Sequence, residues 1–178
     1  MSSNRCIIPE CYIDSCLIEV LLHVEKDHVN HQKGNGTVAR EMKSSFENDF
    51  CIGIIDEDRK ALDYLKEFKQ IRESAYLKLW KHGNKHHFII QLRPVIEKWI
   101  LAACDNIGMN LTDYNLPGSL IDLKKITKSV SSKKDPRFTQ LFKDMGKKGS
   151  EPVLQLQSWL KYFKENKFNI DINHLING

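Results

Sequence analysis

The chain has 178 residues and 20.7 kDa, with 41% hydrophobic and 28% charged side chains. That mixture excludes a disordered tail, a collagen-like rod and a coiled coil. The net charge of +4 hides an asymmetry: residues 1–117 carry 15 basic and 17 acidic side chains, whereas residues 118–178 carry 12 and 6.

Taken in chain order, residues 5–9 form a short apolar run that Pro9 ends, and they read as a strand. Ile13, Leu17, Val20 and Leu21 recur at helical spacing between Tyr12 and Val24. Residues 27–32 are a candidate short strand, and Lys33-Gly34-Asn35-Gly36 is a turn. Thr37 is the expected N-cap of a helix through Phe46. Phe50 to Ile55 is nearly all apolar and rich in β-branched residues, as a buried parallel strand requires. Residues 60–73 are charged and helix-compatible. Leu77–Trp80 and His86–Leu92 flank a polar turn and predict a hairpin. Arg93-Pro94 opens a helix to about Asn106, with proline in its first turn. Residues 119–130, 136–145 and 151–166 read as three more helices, and Ile170–Ile176 is apolar enough to dock.

The alternation of strands and helices predicts an α/β fold with a mostly parallel sheet over residues 1–116. A basic helical extension over 117–178 packs on it. The longest apolar runs are far shorter than the roughly 18 residues that cross a bilayer, and no secretory signal is visible. A soluble, cytoplasmic protein with no membrane partner is expected. The five cysteines are an odd number without a CxxC pair, which argues for packing over disulfides or zinc.

Function in such folds gathers beyond the carboxyl ends of the strands. Glu10 follows the first strand there, and Asp56-Glu57-Asp58 follows the central one. In extended chain Asp56 and Asp58 share a side and Glu57 points away. Carboxylates are the ligands Mg2+ accepts, and a metal so held activates water and neutralises phosphate. The bland alternative is that these acids cap the strand end and the helix after it.

Glu10 after a first strand, a helix, the Gly34/Gly36 turn and then Ile-Gly-Ile-Ile-Asp-Glu-Asp resembles the TOPRIM domain of topoisomerases, primases and related nucleases. A closer resemblance is to small stand-alone TOPRIM-like proteins of bacterial defence loci, whose Phe/Ile-Glu-x-Trp helix is similar to Ile96-Glu97-Lys98-Trp99. The resemblance covers roughly residues 5–110. It implies Glu10, Asp56 and Asp58 as metal and catalytic residues, Glu97 as a fourth catalytic acid, and Mg2+ (or Mn2+) as cofactor. It also implies nuclease-type chemistry on nucleic-acid phosphodiesters, or a non-catalytic subunit working with a partner ATPase. Where the family has glycine after its first glutamate, this chain has Cys11.

The remaining candidates are weighed against simpler roles. His82, His86 and His87 read as a solvated hairpin tip, and His23, His28 and His31 as surface residues. Arg59, Lys60 and Arg93 flank the acids, and pairing with carboxylates is their default. The Gly34 turn lacks the Gly-Lys-Ser/Thr ending of a Walker A sequence, and no Gly-x-Ser-x-Gly elbow appears. Lys124 to Lys148 holds nine basic residues against Asp135 and Asp144. Within it Lys124, Lys125, Lys128, Lys133, Lys134 and Arg137 are candidate nucleic-acid contacts, the alternative being a solvated face with Phe138 and Phe142 in the core. A helical interaction protein without metal is the third function class.

Overall fold

The computed structural model describes residues 5–25, 28–57 and 62–177. Among them are five strands: β1 (Ile7–Pro9), β2 (Cys51–Asp56), β3 (Phe68–Glu73), β4 (Leu77–His82) and β5 (His87–Leu92). The α-helices are α1 (Tyr12–Leu21), α2 (Asn35–Ser44), α3 (Ile96–Asp105), α4 (Leu120–Thr127), α5 (Pro136–Lys147), α6 (Glu151–Asn166) and α7 (Ile172–Asn177). The strands form one sheet in the order β1-β2-β5-β4-β3. β1, β2 and β5 are parallel neighbours, while β4 pairs antiparallel with both β5 and β3. The α/β expectation therefore holds, with the sheet mixed: a parallel half carries an antiparallel hairpin on its flank.

The two faces of β2 explain its unbroken apolar run. Cys51 and Ile55 meet Val38, Ala39 and Met42 of α2, while Ile52 and Ile54 join the larger core on the opposite face. That larger core runs from α1 and α3 into Leu123 of α4, Phe138, Leu141 and Phe142 of α5, and Leu156, Leu160 and Phe163 of α6. The helices beyond residue 117 thus share one continuous core with the sheet. Phe138 and Phe142 are fully buried, as the packing reading of those aromatics requires.

Several local expectations are corrected. The charged stretch 60–73, read as helix, includes a short 3-10 turn at Asp63–Glu67 and then β3. Pairing with β4 and burial of Phe68 against Tyr64 override helix propensity there, and Lys69 and Gln70 face water from the sheet's edge. Residues 28–32 form no regular strand, although Asn30 and Gln32 N–H groups donate to Ile7 and Pro9 carbonyls beside β1. Pro94 lies outside α3, whose N-cap is Val95. His82 and His87 are buried and not a solvated tip. His87 Nε2–H donates to Phe46 O at 2.8 Å, so Nδ1 accepts from the Tyr64 hydroxyl at 2.7 Å. His82 Nδ1 accepts from the Asn84 and Lys85 amides.

Gly53 sits where α2 lies closest to the sheet. A Cβ there would stand 3.0 Å from both Met42 Sδ and Val38 Cγ1. Gly53→Val should cost about 1–3 kcal/mol by overpacking, measured as a lower urea midpoint with an unchanged slope.

Candidate functional site

β1 and β2 run parallel, so their carboxyl ends meet at one edge of the sheet. Glu10 extends the ladder, its N–H donating to Ile54 O at 2.9 Å, and its Oε2 accepts the Asp56 N–H at 3.0 Å. Asp56 Oδ1 accepts the Ile96 N–H at 2.8 Å, one of the orphan amides opening α3. Part of the capping alternative is therefore true: one oxygen of Asp56 caps a helix. Glu97, one residue on, is buried and accepts from Thr127 Oγ1 of α4 at 2.6 Å. Glu57 points away, toward Lys78 and Arg93, as strand alternation requires. Arg93 is held by Glu57 and Glu73 and takes its default role.

A fourth carboxylate was not singled out in the sequence. Asp14, one turn after Glu10, is 1% exposed; its Oδ2 accepts the Cys11 N–H at 3.1 Å. Its other oxygen is buried with no hydrogen-bond partner among the described residues. The signal was present as an acid beside Ile13 on a helix whose apolar face turns inward. Cys11 is extended (φ −137°, ψ 172°), a conformation open to any residue, so the departure from glycine strains nothing in the backbone.

Burial and mutual repulsion dominate the electrostatics. Burial first, then the charge of Glu10 and Glu97, pushes the Asp14 carboxyl up to about 7. Burial, then Asp14, Glu10 and Glu97, pushes Asp56 up to about 9. Burial also raises the Cys11 thiol, which keeps it protonated and a poor nucleophile.

Glu10, Asp56 and Glu97 line a cleft of about 400 Å³. The other walls carry Lys33 and Gly34 of the glycine turn, Tyr12 and His31, Lys124 and Thr127 of α4, and Lys128, its C-cap. His31 is thus a cleft residue and not a surface one. Its ring stacks on Tyr12 at 4.2 Å, and Nδ1 lies 3.0 Å from Ser15 Oγ. Ser15 Oγ donates to Cys11 O at 3.0 Å, so it accepts from His31 Nδ1–H. Burial, followed by the charge of Lys133, lowers the His31 pKa and favours the neutral ring.

Of the basic residues singled out, Lys124 and Lys128 reach this cleft. Lys125, on the same helix, pairs with Asp122 at 2.7 Å. Arg137 is committed to Asp135 and to Asn115 O and acts as a structural clamp at the start of α5. Lys133 lines a neighbouring groove with Cys16, Glu19 and Lys143, and Lys134 lines neither. Asp58, Arg59 and Lys60 lie outside the described residues. Among the described residues, no three His, Cys, Asp or Glu side chains form a group that could hold a metal ion by themselves, and no helix is long and apolar enough to cross a membrane. No family model, curated protein or solved structure matches the chain.

The raised carboxyls make stability depend on pH with a definite sign. The folded state keeps protons on Asp14 to about pH 7 and on Asp56 to about pH 9, whereas the unfolded chain loses both near the ordinary 3.8. The folded state then binds more protons, so stability falls as pH rises through this window. Asp56→Asn keeps the Oδ1 acceptor for Ile96. Without divalent cations it should raise Tm at pH 8 by a few degrees and flatten the profile between about pH 7 and 9, as read by thermal unfolding across pH.

Proposed function

We propose that this cleft is a TOPRIM-like site acting on nucleic-acid phosphodiesters with Mg2+ or Mn2+, most directly as a nuclease. The observation that carries the reading is a mismatch of charge. Three acids on one side of the cleft, Asp56 among them held protonated by burial and its neighbours, face Lys33, Lys124 and Lys128 on the others, and none of these lysines forms an ion pair among the described residues. Opposite charges that share a small cleft without meeting suit a ligand with both signs: a cation beside the acids and a phosphate beside the lysines.

The residues fit such a cation in a limited way. Mg2+ takes one or two protein carboxylates and completes its shell with water and phosphate, so a self-sufficient trio is not required. Asp56 has its second oxygen unbonded among the described residues, and a cation relieves the repulsion that adds to burial in raising its carboxyl. Glu10 and Asp56 would hold the ion, with Asp58 joining them as the resemblance implies. A bound ion there would neutralise phosphate charge and activate water. Lys124 and Lys128 hold the phosphate backbone, and Glu97, fixed by Thr127, keeps α4 and its lysines against the acids.

Labelled single- and double-stranded DNA and RNA, incubated with Mg2+ or Mn2+, test this directly. Cleavage should require the ion and should fall in both Asp56→Asn and Glu10→Gln by more than the 10–100-fold typical of residues behind a metal's ligands. Cleavage that persists in both variants overturns the assignment. Thermal unfolding gives a second readout: metal at 100 times Kd stabilises by about 2.7 kcal/mol, and Asp56→Asn should lose that gain. Metal-dependent stabilisation without cleavage of any substrate would favour the subunit role beside a partner ATPase.

A further inference from the structure

We infer that Lys33, Lys124 and Lys128 form a subsite for a terminal phosphomonoester, so that the cleft takes the phosphorylated end of a strand rather than its interior. The inference rests on the proposed phosphodiester reading and names the part of the substrate that the cleft binds.

The three lysines come from two distant parts of the chain. Lys33 opens the glycine turn, which is tied to the acids because the Gly34 N–H donates to Glu10 O at 3.1 Å. Lys124 of α4 and Lys128, its C-cap, lie four apart in helical conformation, with Thr127 between them in sequence bonded to Glu97. Two hydrogen bonds thus hold both lysine-bearing segments against the acid wall. Asp122 pairs with Lys125 on the same helix, and Lys124 and Lys128 have no ion pair among the described residues. Gly34, with φ 93°, is the N-cap of α2, so the positive end of that helix opens onto the same wall.

Charge and size then select the ligand. A phosphomonoester carries about −1.5 to −2 at pH 7 and three terminal oxygens, enough to engage three ammonium groups. An internal diester has a single charge and two such oxygens. The cleft's 400 Å³ is near the small end of ligand-sized cavities. The carboxylate wall repels the rest of a polyanion unless a cation lies there, so in metal-free protein the lysine side is where an anion is attracted.

The test is therefore run in EDTA. Binding of a short labelled oligonucleotide with a 5′-phosphate, a 3′-phosphate or only hydroxyl ends is measured by fluorescence anisotropy. One phosphorylated end should bind at least about 10-fold more tightly than the hydroxyl-ended strand, a factor of ten being 1.4 kcal/mol. Lys33→Ala/Lys124→Ala/Lys128→Ala should abolish the preference, Lys125→Ala should keep it, and circular dichroism checks that each variant is folded. Competition by a nucleoside monophosphate or by inorganic phosphate at similar concentrations would assign the subsite to a free nucleotide or anion and overturn the strand-end reading. Equal binding of all three oligonucleotides, or a preference surviving in the triple variant, also overturns it. Because no metal is present, these results are independent of the cleavage assay. An end preference without any metal effect removes the nuclease reading alone.

Discussion

Three backbone amides hold carboxylates together that would otherwise repel one another apart. The Asp56 N–H grips Glu10, the Ile96 N–H grips Asp56, and the Cys11 N–H grips Asp14. The first bond joins the ends of β1 and β2, the second ties the end of β2 to the start of α3, and the third lies within the first turn of α1, so the acids serve as fasteners at the sheet edge. A hydrogen bond to a charged group is worth about 1.5–3 kcal/mol, yet burial and repulsion still push Asp14 and Asp56 upward. The parallel register of β1, β2 and β5 is what brings these groups to one side. Change that register and neither the cleft nor its electrostatic tension survives.

The tension has a functional direction. A protein shaped for stability alone would place Lys124 or Lys128 on the carboxylates and close the cleft with ion pairs. Instead one oxygen of Glu97 is taken by a neutral hydroxyl, Thr127 Oγ1, and the lysines stay apart. Where the chain uses ion pairs structurally, as in Arg93 with Glu57 or Arg137 with Asp135, the partners touch. Local destabilisation confined to one cleft is a familiar property of sites whose ligand supplies the missing charge.

Parts of this arrangement were legible along the chain. The apolar run before Asp56 read as a buried strand because both of its faces are covered, and the hairpin around His82 to His87 read correctly from its flanking runs. The helices after residue 119 were read as ranges 119–130, 136–145 and 151–166, close to α4, α5 and α6. Other features were not legible. β3 looked helical because its charged residues sit on an edge strand, where solvent accepts them as readily as on a helix. His82 and His87 looked like a polar turn, and burial came only with the Tyr64 hydroxyl and the Phe46 carbonyl. The basic stretch looked uniform until packing sorted it, with Arg137 clamped, Lys125 paired, and Lys124 and Lys128 at the cleft.

The sequence by itself determined the class of fold and the acids that end its strands, because strand patterning and strand-end position are local properties. It also placed the basic excess after residue 117. Only the tertiary structure decided which charges share a space. His31 and Lys33 joined the cleft through a loop packed beside β1, Asp14 was buried behind it by a helix turn, and Thr127 at α4's end was bonded to Glu97. Proximity between residues thirty to a hundred positions apart is set by the shared core, and no local pattern encodes it. The modest net charge of +4 therefore becomes, in three dimensions, an acidic wall and a basic wall around one small cleft.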